Sequence, residues 1–119
     1  MIEPVYLVGV GGTFGAIARY TVGQLDKSDR FPVSTLTVNV LGSFILGVLV
    51  FLDLNQSLLL LIGVGFCGAF TTYSTFSVDT VLLWEDGNQL LAIVNALANI
   101  IASIGAIGVA WVLIVWLPF

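Results

Sequence analysis

The chain has 119 residues, of which 59% are hydrophobic and 8% are charged, and its formal net charge is −4. A mean hydropathy of +1.13 excludes a water-soluble globular domain of this length, so the sequence predicts an integral membrane protein. With only three basic residues, the chain gives no support to nucleic-acid binding. It has no histidine, which is the commonest general base, and its single cysteine, Cys67, has no partner for a disulfide.

Four stretches supply the roughly 20 mostly apolar residues that a membrane-crossing helix needs. They cover 4–25, 32–52, 57–84 and 88–117, and the sequence predicts one transmembrane domain over 1–119. Because the connections are short and polar, consecutive helices are expected to be antiparallel neighbours. Lys27 and Arg30 place a weak positive bias in the first connection, so the charge balance permits insertion in both orientations.

The first span contains "GVGGTFGAIARY", which superficially matches a glycine-rich dinucleotide motif. The spacing fails because Phe14 occupies the third glycine position and no strand precedes the segment. Small residues four apart instead predict close helix packing, at Gly11 and Gly15 in span one and at Ser43 and Gly47 in span two.

Polar side chains recur every fourth residue in two spans, so each set stays on one helix face. Hydrogen bonding between helices explains any one of them, whereas two complete stripes indicate a polar pathway. The stripes consist of Thr35, Asn39 and Ser43 in span two and Asn95, Asn99 and Ser103 in span four.

The third span carries "GFCGAFTTYSTFSVD" over 65–79, with five hydroxyl side chains between 71 and 77. Several glycines and two adjacent β-branched threonines make this a poor helix. A break would free backbone carbonyls at membrane depth, where protein, water or an ion must satisfy them. The sequence therefore predicts a helix broken near its middle, a feature that commonly marks an ion or substrate site.

The chain resembles the Fluc (CrcB) family of fluoride channels over nearly its whole length. The resemblance lies in "GGTFGAIARY" (11–20), "TLTVNVLGSFILG" (35–47) and "GFCGAFTTYSTFS" (65–77), in the family's order and spacing. It implies an all-α, multi-pass protein of the cell membrane that is not an enzyme. It further implies four-helix subunits assembled as an antiparallel, dual-topology homodimer, with two pores and a structural sodium ion at the centre.

The resemblance also implies roles for the two polar stripes. Thr35 and Asn39 match pore-lining donors. Asn95, Asn99 and Ser103 fall where the family has a polar track on its fourth helix, although the family usually has tyrosine and serine at the first two positions.

The third span carries the remaining implied site residues. Tyr73 and Phe76 match a pair of pore phenylalanines, with Tyr73 departing from the usual "TTFSTF". The backbone carbonyls of Gly68 and Thr71 match the ligands of the central sodium ion.

Two charged residues lie about one and a half turns inside a span end, where snorkelling to the membrane surface is an alternative to a functional role. By resemblance, Arg19 lies near the pore entrance and Asp79 occupies a commonly acidic position.

The predicted function is passive export of cytoplasmic fluoride. Fluoride is small and strongly hydrated, so a selective pore must replace its water with amide and hydroxyl donors and with the positive edges of aromatic rings. A fixed central cation would offset the cost of an anion at membrane depth.

Two other classes of protein compete with this interpretation. A small multidrug exporter of cationic compounds also has four short helices, but it needs a carboxylate in its first span, where this chain has only Glu3 before the helix. A structural or assembly subunit would explain the glycines but not the stripes or the break.

Overall fold

The computed structural model describes residues 2–117, and the regular secondary structure in that range is helical, as predicted. Each predicted span corresponds to a helical segment whose ends lie within one residue of the predicted ones. The predicted domain, 1–119, includes residues 1, 118 and 119, which lie outside the described range. The helices are α1 (Pro4–Leu25), α2 (Val33–Phe51), α3 (56–70), α4 (Ser74–Glu85) and α5 (Gln89–Trp116).

Within the described range, three helical segments are long and apolar enough to cross a membrane: Val33–Phe51, Gln56–Glu85 and Gln89–Trp116. The second of them contains α3, the predicted break and α4. The α1 helix has 22 residues, but its five glycines, Arg19 and Gln24 dilute its apolar side chains. The membrane crossing by α1 therefore remains a prediction.

Most of α3 is a π-helix, which the sequence did not predict. The helix begins at Gln56–Leu58, where the Asn55 side-chain oxygen accepts from the Leu58 N–H at 3.0 Å. It continues as a π-helix over Leu59–Cys67 and ends with one α-helical turn at Gly68–Phe70. Because π-helical hydrogen bonds join residues five apart, this stretch is wider than an α-helix.

The α1 helix packs directly on this π-helix, and glycines allow the close approach. A β-carbon at Gly11 would overlap the Leu61 carbonyl oxygen, and one at Gly15 would overlap the Phe66 carbonyl oxygen. From the other side, a β-carbon at Gly65 would lie 2.8 Å from the Val8 oxygen. The predicted packing role of Gly11 and Gly15 is confirmed.

In α2 the close approaches occur at Gly42 and Gly47, so the predicted pair of Ser43 and Gly47 is only half right. Gly42 lies against the Thr71 side chain, and a β-carbon at Gly47 would lie 3.0 Å from the Ala110 methyl of α5. Ser43 lies one position along and is half-buried at the edge of a groove.

Gly11→Ala should destabilise the protein, whereas the matched variant Gly9→Ala should not. The new methyl at position 11 meets the Leu61 backbone, which cannot move as a side chain can, and such overpacking costs about 1–3 kcal/mol. Position 9 has no atom within 4 Å of an added β-carbon. Thermal unfolding of both purified variants in detergent measures the difference, and equal midpoints would contradict this packing.

The α5 helix shows how little of the chain is buried. Its buried residues are small or polar and recur three, four or seven apart, so they form one stripe that faces the rest of the chain. The other faces expose large apolar side chains, such as Leu97, Ile101 and Ile104. Exposed apolar faces of this extent suit contact with lipid or with another subunit. The buried positions are Ala92, Asn95, Asn99, Ala106 and Ala110.

Candidate functional site

The third span is interrupted between Phe70 and Ser74, and a side chain from α2 pairs with the interrupted backbone. Thr71 is extended, with φ −79° and ψ 158°. The next residue, Thr72, donates its backbone N–H to Asn39 Oδ1 at 2.8 Å, and Asn39 Nδ2 donates to the Thr72 carbonyl at 3.0 Å. The amide of Asn39 therefore satisfies both backbone groups of Thr72, as a neighbouring strand would.

Three of the clustered hydroxyls serve the backbone around the break. Thr72 Oγ1 accepts from the Thr75 N–H at 3.1 Å, which is the pattern of a helix N-cap for α4. Thr71 Oγ1 donates to the Cys67 carbonyl at 2.9 Å, and Ser77 Oγ donates to the carbonyl four residues before it at 2.9 Å. The hydroxyl cluster thus accompanies the break, as predicted.

The break leaves carbonyl oxygens of α3 and the break itself without backbone donors. In an unbroken helix the Thr72 N–H would bond to the Gly68 carbonyl, but here it bonds to Asn39. Within residues 2–117, no backbone N–H donates to the carbonyl of Gly68 or Thr71. Gly68 is exposed, with no atom within 4 Å of an added β-carbon. Carbonyl oxygens of this kind are ligands that a hard cation prefers.

A groove of about 720 Å³ runs along the break between α2, α3 and α5. Tyr73 is 81% exposed and Phe76 is half-buried, and their ring centroids lie 5.9 Å apart at 48°. Most of the predicted site residues meet here: Asn39, Gly68, Thr71, Tyr73, Phe76, Asn99 and Ser103 all line the groove.

Arg19 and Thr35 line a separate recess of about 240 Å³, formed against α1. Thr72 lines both this recess and the groove, so it separates the two. Thr35 is buried, and its hydroxyl donates to Asp79 Oδ2 at 2.7 Å. Thr72 therefore forms part of the wall between the Arg19 recess and the groove that Phe76 lines.

A third recess, of about 320 Å³, opens at the connection between α1 and α2 and reaches Thr35 and Asp79. On its wall, the Asp26 carboxylate accepts from the backbone N–H groups of Ser28 at 2.9 Å and Ser34 at 2.8 Å. These two bonds hold the pKa of Asp26 below its ordinary value. Because Ser34 lies in the first turn of α2, Asp26 also caps that helix.

The three asparagines of the predicted stripes form one hydrogen-bonded network. Asn39 Nδ2 donates to Asn99 Oδ1 at 2.9 Å, and Asn99 Nδ2 donates to Asn95 Oδ1 at 3.0 Å. Asn95 Nδ2 in turn donates to Thr80 Oγ1 at 2.9 Å. Asn95 is wholly buried behind Asn99 and does not line the groove.

Sequence reasoning missed two residues of this site. The sequence predicts Thr72 only as part of the hydroxyl cluster, although a position beside the predicted break is a signal for capping. Thr80 gave no signal, because its hydroxyl matters only through the contact with Asn95.

The fold and site define a multi-pass helical membrane protein with a hydrogen-bonded break in its third helical segment. Residues 6–111 match the family described as CrcB-like protein, Camphor Resistance (CrcB). The chain belongs to this family, so the predicted resemblance is confirmed.

Several relatives are similar along most of their length. The fluoride-specific ion channel FluC 2 of Haloarcula marismortui is 47% identical over 92% of this chain and 92% of its own. The fluoride-specific ion channel FluC of Saccharophagus degradans is 45% identical over 89% of this chain and 85% of its own. The corresponding protein of Pyrococcus furiosus is 43% identical over 94% of this chain and 96% of its own.

Proposed function

We propose that this chain is the subunit of a passive, fluoride-selective channel that lets cytoplasmic fluoride leave the cell. The observation that carries the proposal is the break itself: Asn39, Asn99 and Phe76 meet beside it along one groove, in a chain whose relatives are fluoride-specific ion channels. An ion channel of this kind is not an enzyme.

The groove offers neutral groups suited to a dehydrated anion. Asn39 supplies an amide donor and Ser103 a hydroxyl donor, while the rings of Tyr73 and Phe76 supply positive edges. Asn99 lines the groove as an acceptor, because its nitrogen donates to Asn95. Both Asn39 N–H groups are bonded within the subunit, one to Asn99 Oδ1. In the proposed pathway the anion takes the place of this oxygen as the acceptor, and the break keeps its bond to Asn39.

Arg19 and Thr35 form the entrance of the proposed pathway. They share the recess that Thr72 separates from the groove, and Arg19 is the only positive charge among the residues that line it. A guanidinium at this position attracts fluoride by its charge. The Thr35 hydroxyl gives its one proton to Asp79 Oδ2, so it would donate to the anion only by giving up that bond.

The proposed assembly is an antiparallel homodimer with two pores. The groove is open along the chain, and the exposed Gly68 lies within it, so a second copy inserted in the opposite orientation would close it. The free carbonyls of Gly68 and Thr71 would hold a sodium ion at the dimer centre. Such an ion supplies positive charge that lowers the cost of an anion at membrane depth.

Liposomes that contain the purified protein should release fluoride far faster than chloride, without a proton or sodium gradient. An ion-selective electrode measures both fluxes after the membrane potential is collapsed. Comparable chloride flux would contradict selectivity, and dependence on a proton gradient would favour a coupled exporter. No flux from folded protein would leave only an assembly role.

A further inference from the structure

The asparagine network has a direction, because each member donates to the next. It starts at Asn39 Nδ2, passes through Asn99 and Asn95, and reaches Thr80 Oγ1. The Thr80 hydroxyl has one proton and donates it to the Phe76 carbonyl at 2.8 Å. Only the lone pairs of this oxygen remain, so it must act as an acceptor for Asn95.

This hydroxyl therefore fixes the orientation of the amides before it. Asn95 must turn its nitrogen towards Thr80 and its oxygen towards Asn99. Asn99 must then present its oxygen to Asn39, and the two bonds between Asn39 and Thr72 require the same arrangement. Both ends of the network thus demand one set of amide orientations.

Burial makes these orientations costly to change. Asn95 is 0% exposed and Asn99 is 5% exposed. No buried side-chain nitrogen or oxygen among the described residues lacks a hydrogen-bond partner. A reversed amide would place nitrogen against nitrogen or oxygen against oxygen inside the protein, where water cannot compensate.

We propose that Asn95 and Thr80 are positioning residues of the anion pathway. They turn the Asn99 oxygen towards Asn39 Nδ2, which holds this donor in place until the anion takes the oxygen's position, and they never contact the anion. The inference rests on the proposed function and assigns Asn95 a different task from direct pore lining. Fixed donors matter more for fluoride than for chloride, because the smaller ion gives up more hydration and needs short bonds. The two residues therefore contribute to selectivity.

The decisive comparison is Thr80→Val with Thr80→Ser. Valine keeps the shape but removes the acceptor for Asn95, so the fluoride-to-chloride flux ratio in liposomes should fall about tenfold. Serine keeps the hydroxyl and should restore the ratio. Thr37→Val is the matched control, because Thr37 makes the same hydroxyl bond to the carbonyl four residues earlier but has no amide partner within residues 2–117.

A second readout does not depend on transport. In protein with isotope-labelled asparagine, Thr80→Val should shift the side-chain amide NMR signals of Asn99 and Asn39, and Thr37→Val should not.

If Thr80→Val does not assemble, Thr80→Ala applies the same test without adding a methyl group. An unchanged ratio with unmoved amide signals would overturn the proposal, as would a loss of both fluxes in equal proportion. If the parent protein carries no fluoride, the proposed function fails, while the amide signals still decide whether the network sets the amide directions.

Discussion

Asn39→Asp should reduce fluoride flux by about 100-fold or more, the largest effect expected of a single substitution here. The aspartate would place an oxygen where Asn39 Nδ2 now donates to the Thr72 carbonyl and Asn99 Oδ1, so two bonds become oxygen–oxygen contacts. Loss of these two hydrogen bonds costs about 3 kcal/mol of interaction free energy at the site. The negative charge beside the groove also repels the anion. Flux is measured by fluoride efflux from liposomes.

The matched control is Asn88→Asp, which makes the same chemical change at an exposed position before α5 where the side chain caps nothing. The Thr72 N–H keeps its acceptor in the Asn39 variant, so we expect this variant to fold. Size-exclusion chromatography checks this and separates a transport defect from a folding defect. Efflux near that of the parent would place Asn39 outside the pathway.

Phe76→Ile should nearly eliminate fluoride flux, by about 100-fold, whereas Tyr73→Phe should reduce it no more than about threefold. Isoleucine fills similar space but has no positive ring edge to turn towards the anion. Phenylalanine at position 73 keeps the aromatic ring edge and loses only the hydroxyl. In the parent protein the centroids of the Tyr73 and Phe76 rings lie 5.9 Å apart. Both variants are compared in the same efflux assay.

Phe14→Ile is the control for Phe76→Ile, since Phe14 is 63% exposed on α1 and lines none of the three recesses. Full conduction by Phe76→Ile would show that this ring only fills space. A severe defect confined to Tyr73→Phe would instead give the tyrosine hydroxyl a role that the family pattern does not supply.

The helices and the break were predictable because they depend on local composition. Apolar runs of sufficient length bounded by short polar connections located the helical segments, and glycines beside Thr71 and Thr72 located the interruption. The π-helix at Leu59–Cys67 was not predictable, since runs of leucine and glycine fit either kind of helix.

The site was predictable in its members but not in its connections. Four-residue spacing places Asn39, Asn95 and Asn99 on inner faces, but it does not reveal depth. Asn95, predicted to line the pore, lies behind Asn99 and does not line the groove. The spacing also does not show which groups an amide bonds to. Thr80 enters the network only through a contact between two helices that face each other.

The pairing of Asn39 with Thr72 also restricts changes in chain length. One residue inserted between 71 and 73 would place a different residue's N–H and C=O opposite the Asn39 amide. It would also rotate α4 by about 100° about its axis. Such a rotation of α4 would break the hydrogen bond between Asn95 and Thr80. The exposed turn at Gly87, with φ +84°, has no such partner in the described chain. We therefore expect insertions and deletions to be tolerated in that turn and not at the break, which makes the register of 71–73 as much a part of the site as its side chains.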